Sequence, residues 1–242
     1  MKVGIIGRGA WGMTLRRNIE ALGHEVAWQE GRSLVEGKGR PLFYETVKPM
    51  DAVFIATPPD LHAELVLDSL AVKKDLRVWV EKPMGTTLLD CQRLEGLLAV
   101  EPSPYVFVDH TRLWYPRLEA NRDITIGGPG PFRLDTNALW DWGPHAAAYA
   151  IHLHGDCTVL GVTIETGTYR VRLAAADGTP LYLTFGNTFS EKLDTVVSPS
   201  EGEPPLTAAL RSFFESPTVD HRASVAFGGR VVKMLSAIES LL

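Results

Sequence analysis

The chain has 242 residues, 45% of them apolar and 22% charged, with a net charge of −5. That length can bury one large core or two small ones, and the composition is that of a globular protein rather than a disordered or fibrous one. The acidic balance, without a long basic cluster, argues against a nucleic-acid partner; two unrelated cysteines without a CxxC argue against a disulfide scaffold or a cysteine-built zinc site; and no apolar run reaches membrane-spanning length.

The N-terminal stretch MKVGIIGRGAWG has no signal-peptide cleavage site, so a cytoplasmic location is expected. Asn and Gln together number six and arginine outnumbers lysine 16 to 8, a bias shared by thermophilic proteins and GC-rich genomes. The first half alternates β-branched runs with helical patterns, as parallel sheets with crossover helices do. KVGIIG reads as a strand, 11–22 as a helix stopped by Gly23, EVAWQ as a second strand and DAVFIAT (51–57) as a third. LHAELVLDSLAV (61–72) reads as a helix with Asp60 as its N-cap, LRVWV as a strand, 86–100 as a helix and YVFVDH (105–110) as a strand.

The second half differs. DTNALWDWGPHAAAYAIHLHG contains a helix with Pro144 in its first turn and Gly155 at its C-terminal cap. TVLGVTIE, TYRVRLAA and LYLTFGN follow as strands of an antiparallel sheet, and two helices close the chain around 206–215 and 223–242. The composition breaks near 111–122. The expected domains are therefore 1–115, a dinucleotide-binding α/β unit, and 116–242, an α+β unit whose C-terminal helix packs back on the first.

Gly7-Arg8-Gly9-Ala10-Trp11-Gly12 is a GxGxxG with a strand before it and a helix after. Gly7 permits the tight turn, Gly9 lets the backbone approach a pyrophosphate, and Gly12 lets helix and strand pack closely; the amides at Ala10 and Trp11 open the helix toward the phosphates. Glu30 ends the second strand, where an acid bonds ribose hydroxyls and repels a 2′-phosphate. Arg32 and Ser33 follow, residue types that serve such a phosphate, so NAD is favoured and NADP is the alternative. In LRVWVEKPMGT, Pro83 must end the strand, which holds Glu81 and Lys82 at the carboxyl edge where open α/β sheets bind ligands.

The GxGxxG, the segment DAVFIATPPDLHAELVLDSL, VWVEKP and the later DWGPHAAAYAIHLHG together resemble the glucose-fructose oxidoreductase / inositol dehydrogenase / rhizopine-catabolism (Gfo/Idh/MocA) family, nearly end to end. The resemblance implies a Rossmann domain followed by an open, mostly antiparallel sheet domain, and oxidation of a secondary alcohol on a sugar, polyol or related molecule with NAD(P). By position it implies that Lys82, Asp141 and His145 are catalytic and converge on the nicotinamide crevice, and that Thr57, Pro58, Glu81 and Lys82 border the cofactor. The chemistry suits those residue types. Imidazole can take the hydroxyl proton, Asp141 can orient it, and Lys82 can stabilise developing oxyanion charge. His62 matches a frequent family position and reads as structural, while Trp140, Trp142 and Trp114 are open to either sugar stacking or core packing.

Other readings compete. Lys82 could form a structural ion pair with Glu81, and His145, Tyr149 and His152 share a helix face but lack a third metal ligand, so no metal is expected. The chain is short for the family, few residues separate Glu30 from Asp51, and Ala148 stands where many relatives carry an acid. A catalytically inactive NAD(P)-binding sensor, or a C=N or C=C reductase, is thus an alternative to the dehydrogenase. A sheet covered on one side only would expose apolar area, so a homo-oligomer, dimer or tetramer, is expected.

Overall fold

The computed structural model describes residues 1–31, 39–97, 103–129, 137–198 and 201–242. They divide into two compact units, Met1–Asp109 with Leu206–Gly229, and His110–Pro205 with Arg230–Leu242.

In the first unit β1 (Lys2–Ile6), α1 (Ala10–Ala21), β2 (Glu25–Glu30), α2 (Gly39–Val47), β3 (Ala52–Ile55), α3 (His62–Val72), β4 (Arg77–Glu81), α4 (Leu88–Leu97) and β5 (Val106–Asp109) follow in chain order. The strands form one parallel sheet in the order β2-β1-β3-β4-β5. Runs such as AVFI and VFVD show no polar alternation because both faces of these strands are covered, and every residue of β3 and β5 is buried. Among the described residues nothing between β2 and β3 forms a strand. α2 fills part of that connection, and the Trp28 indole donates to the Thr46 carbonyl to tie β2 to it.

The later helix α7 (Pro205–Glu215) belongs to this unit. Its Phe213 is fully buried and meets Phe54, Trp79, Tyr105, Phe107 and Phe214 at centroid distances of 5.0–5.8 Å. Arg77, at the start of β4, fixes the end of that helix. Its guanidinium donates to the Phe213 carbonyl and, at 2.7 Å, to that of Ser216, and lies 3.7 Å from the centre of the Tyr105 ring.

The second unit holds β6 (Asp123–Pro129), α5 (Ala138–Asp141), α6 (Gly143–His154), β7 (Cys157–Glu165), β8 (Thr168–Ala175), β9 (Pro180–Gly186) and β10 (Thr188–Asp194). Helix α8 (Val225–Glu239) begins in the first unit and ends here. The sheet order is β10-β6-β9-β8-β7, with β6 parallel to β9 and the other pairs antiparallel. Period-2 alternation buries Tyr169, Val171 and Leu173 of β8 and Leu181, Leu183 and Phe185 of β9, and α6 packs against β6, β7 and β9. Leu160, Ile164 and Tyr182 are each nearly half exposed.

Three details differ from the sequence expectation. Asp60 caps nothing: it sits inside a 3-10 turn, Pro59–Leu61, and α3 starts at His62 with no side-chain cap. β10 is an additional strand, whose polar sequence TFSEKLD hides it because most of its residues face solvent. The helix around the DWGPH motif is two helices, since α5 ends at Asp141 and α6 restarts at Gly143.

Because Phe213 fills the junction of five other aromatic rings, Phe213→Ala should destabilise the protein by about 3–5 kcal/mol, the usual effect of deleting a buried ring. Urea titration followed by tryptophan fluorescence measures this directly; a loss below about 1 kcal/mol would mean that the helix is not held by the ring.

Candidate active site

The glycine loop is built by close approach. Gly7 has φ 141°, and a Cβ there would lie 2.3 Å from the Ala56 carbonyl oxygen, so a side chain is excluded twice over. Its amide donates to the Glu30 carbonyl at 2.7 Å, which joins the loop to the end of β2. A Cβ at Gly12 would strike the Gly7 carbonyl oxygen at 2.3 Å, the close packing of α1 on its strand that the motif requires. Gly9 is different: a Cβ there meets nothing within 4 Å. Space is open over the middle glycine. α1 starts at Ala10 with no side-chain cap and no acid in its own first turn, so no side chain of that turn competes for the leading amides or repels an anion. These features fit a dinucleotide pyrophosphate.

Around the loop, Glu30 ends β2, and its carboxylate lies 3.2 Å from the guanidinium of Arg8, a residue the sequence reading passed over. Arg32 and Ser33 lie outside the described residues. Thr57 and Pro58 follow β3, and the Thr57 hydroxyl oxygen is buried without a hydrogen-bond partner.

Lys82 is the first residue past β4 and is half-buried, followed by the buried Pro83, Met84 and Gly85; its bond to Pro83 is cis. Glu81 is 9% exposed and stands in register with Asp109 of β5, which is 1% exposed. The Trp11 indole donates to the Glu81 carboxyl, so two expected cofactor residues bond each other and tie the start of α1 to the end of β4. Burial, then the charge of Asp109 and a hydrogen bond with it, hold the Glu81 carboxyl well above the usual carboxylate range; the Lys82 charge and the Trp11 bond pull the other way and are outweighed. Asp109 was missed although it carries the same signal as Glu81, an acid ending an apolar strand.

His62 is 1% exposed, with Nδ1 2.7 Å from the Pro83 carbonyl oxygen and Nε2 2.8 Å from that of Thr57. It clamps the loops after β3 and β4 to each other. Donating to both carbonyls at once would take an imidazolium, and each bond favours that form. Burial works against that charge, as does Lys82 nearby, and the net direction of the His62 pKa is down.

In the second unit, Asn137 caps α5 by accepting from the Trp140 amide, and Asp141 is the last residue of that helix. His145 stands in the first turn of α6, after Pro144, and is half-buried. An acid thus ends one helix and an imidazole stands in the first turn of the next, four residues on. Trp142 packs edge-on to His145 at 6.3 Å, and Arg112 lies 5.6 Å from the Trp142 ring. Trp140 instead donates to Glu239 of α8. Tyr149 does not join a histidine cluster: its hydroxyl donates to Asp194 at 3.0 Å, and Arg112 pairs with the same carboxylate at 2.5 Å. Among the described residues no group of three or more His, Cys, Asp or Glu side chains could hold a metal ion.

A parallel doubly wound sheet, a glycine turn onto an uncapped helix and an acid at the end of the next strand define a dinucleotide-binding oxidoreductase fold. Comparison with known proteins agrees. The model of the oxidoreductase family with an NAD-binding Rossmann fold (GFO_IDH_MocA) matches residues 16–110, so this stretch of the chain is similar to the Gfo/Idh/MocA family. The chain is 31% identical over 166 residues to dTDP-3,4-didehydro-2,6-dideoxy-α-D-glucose 3-reductase of Saccharopolyspora spinosa, a match to 57% of this chain and 49% of that protein, about half its length. Among solved structures, UDP-N-acetylglucosamine 3-dehydrogenase GnnA of Acidithiobacillus ferrooxidans superposes with a TM-score of 0.78 at 16% identity, over 100% of this chain and 97% of the other. The 3-ketoreductase KijD10 of Actinomadura kijaniata, solved with TDP-benzene and NADP, gives 0.76 at 18% identity, over 100% and 97%.

The Glu81–Asp109 pair makes a testable demand on stability. A carboxyl that binds its proton more tightly folded than unfolded destabilises the fold as pH climbs above the unfolded value, because the unfolded chain releases the proton first. Glu81→Gln keeps the size and a donor toward Asp109 but has no proton to lose. The variant should therefore gain on the wild type as pH rises from about 4.5 toward neutrality in chemical denaturation. A difference independent of pH would show that the pair does not share a proton.

Proposed function

We propose that the protein transfers a hydride between NAD(P) and a secondary alcohol or ketone of a sugar or related small molecule. The observation that carries this is the placement of Lys82 one residue beyond β4 in the same unit as an open glycine loop with an uncapped helix behind it. When bound, the nicotinamide supplies the hydride acceptor or donor. In the oxidative direction His145 accepts the hydroxyl proton as neutral imidazole, Asp141 orients that ring or the substrate, and Lys82 bonds the alcohol oxygen and stabilises the charge that develops on it. Glu30 receives the adenosine ribose, and Thr57 and Pro58 border the nicotinamide half.

The relatives' names support a substrate class. The Saccharopolyspora protein is a dTDP-sugar 3-reductase, GnnA a UDP-N-acetylglucosamine 3-dehydrogenase and KijD10 a 3-ketoreductase. All three names carry position 3, and two of them name a nucleotide-linked sugar, so we assign this chain to a 3-hydroxy or 3-keto group on a nucleotide-linked sugar. Trp142, beside His145, is the aromatic suited to stack on a sugar face; Trp140 is committed to Glu239. A second copy covering Tyr182, which stands opposite Arg172 on the outer face of the sheet, would make a homo-oligomer. Both cysteines are free, which suits the cytoplasm, and among the described residues no helix is long and apolar enough to cross a membrane.

Nicotinamide absorbance during incubation with a panel of dTDP- and UDP-linked sugars tests the reaction. Turnover in the oxidative direction should rise with pH through one ionisation near neutrality. His145→Asn and Lys82→Met should each lower kcat about a hundred- to ten-thousand-fold while leaving the calorimetric Kd for NAD within a few fold. The double variant should lose far less than the product of the two single effects, because both groups serve one oxygen. Nucleotide binding without turnover on any member of the panel would instead make the protein a sensor.

A further inference from the structure

We infer that Arg8 and Glu30 form a two-position selector that lets the chain accept either NAD or NADP, with Arg8 as the residue that takes the 2′-phosphate; this rests on the dinucleotide-binding reading above. An acid ending the second strand ordinarily excludes NADP, since it would stand against the extra phosphate. Here that acid is not alone. Arg8 Nη2 lies 3.2 Å from Glu30 Oε2, and Arg8 Nε donates to the Gln29 carbonyl at 3.2 Å. The guanidinium thereby spans the last two residues of β2, where an adenosine ribose would rest. Its stem passes Gly31, where a Cβ would sit in ordinary van der Waals contact with it, 3.7 Å from the Arg8 Cδ.

The geometry also makes the selector reversible. The arginine side chain is 63% exposed and that of Glu30 39%, and an ion pair this wet is weak and opens readily. With NAD, Glu30 accepts from the ribose hydroxyls and Arg8 stays as its counter-ion, which limits how strongly the carboxylate repels an anion. With NADP, Glu30 turns to solvent and the guanidinium, a five-donor fork matched to phosphate oxygens, meets the phosphate. Arg8 is anchored within the glycine loop, and the Gly7 amide bond to the Glu30 carbonyl keeps the two residues together whichever nucleotide is present. No rearrangement of the loop is required.

Calorimetry of the full chain with NAD and with NADP, on the wild type, Arg8→Met and Glu30→Gln, decides the matter without any turnover. Methionine keeps much of the apolar stem and removes the charge. Wild type should bind both nucleotides. Arg8→Met should weaken NADP about tenfold or more, the effect of losing a charge-assisted hydrogen bond, and leave NAD within about threefold. Glu30→Gln should tighten NADP and weaken NAD. Added salt should erode NADP binding in the wild type more than in Arg8→Met. Wild-type binding of NAD with no NADP binding, or an Arg8→Met effect equal on both nucleotides or absent from both, would overturn the selector while leaving the dinucleotide site intact. Binding of neither nucleotide by the wild type would overturn the proposed function itself, and the selector with it.

Discussion

The parallel sheet of the first unit imposes one constraint from which its site follows: strands buried on both faces can carry polar chemistry only where they run out. Trp79 shows how completely the interior is closed, stacked on Phe54 at 5.2 Å and Phe107 at 4.5 Å with no surface exposed. Register then does the assembly. Ile6 pairs with Ile55, Ile55 with Val80, and Glu81 with Asp109, so the residues that follow each strand stand side by side. Gly7, Ala56, Glu81 and Asp109 are far apart in sequence and adjacent along one edge. The glycine loop and the EKP corner need no separate device to bring them together.

That edge treats chemically similar acids in opposite ways. Glu30 keeps water and a neighbouring arginine. Glu81 loses water and faces a second carboxyl, and two such groups at close range do not both ionise. The difference bears on Lys82. An ionised Glu81 would be a full counter-ion to the adjacent ammonium and would spend its charge on a structural pair. A Glu81 that holds a proton with Asp109 and takes the Trp11 N–H instead interacts with Lys82 more weakly. The Trp11 bond has a second consequence, because it transmits any displacement of the α1 start to the strand end that carries Lys82.

Much of this was legible in the sequence because the signals are local and periodic. The unbroken apolar runs gave the parallel strands, Pro83 gave the end of β4, and Pro144 with Gly155 bounded α6. Gly155 does take a positive φ of 78°. The site's inner partners were not legible, for a physical reason: each depends on a contact across strands rather than along them. Asp109 matters because of what stands in register with it, His62 because two distant loops present carbonyls to one ring, and Arg8 because β2 ends beside the loop that carries it. Asp60 failed in the opposite direction. Asp before a helix is a good local signal, and the Pro58–Pro59 pair converted that turn to 3-10 geometry before the helix began.

The brevity of the chain between β2 and β3 also shapes the site. Among the described residues no strand pairs with the outer side of β2, so β2 is an edge of the sheet and has no fully buried residue, whereas the inner strands are buried apart from the first residues of β1 and β4. Trp28 compensates. Its ring lies over Gly4, where a Cβ would approach it to 2.9 Å, and its indole N–H reaches α2, so one large side chain replaces contacts that a further strand would make. Glu30 ends this edge strand. Its carboxylate and the Arg8 guanidinium therefore stay wet, and this end of the sheet edge is held by weak, exchangeable charge pairing. The lysine end is governed instead by buried hydrogen bonds to Pro83 and between Trp11 and Glu81. Recognition at one end of the crevice can thus vary without disturbing the alignment at the other.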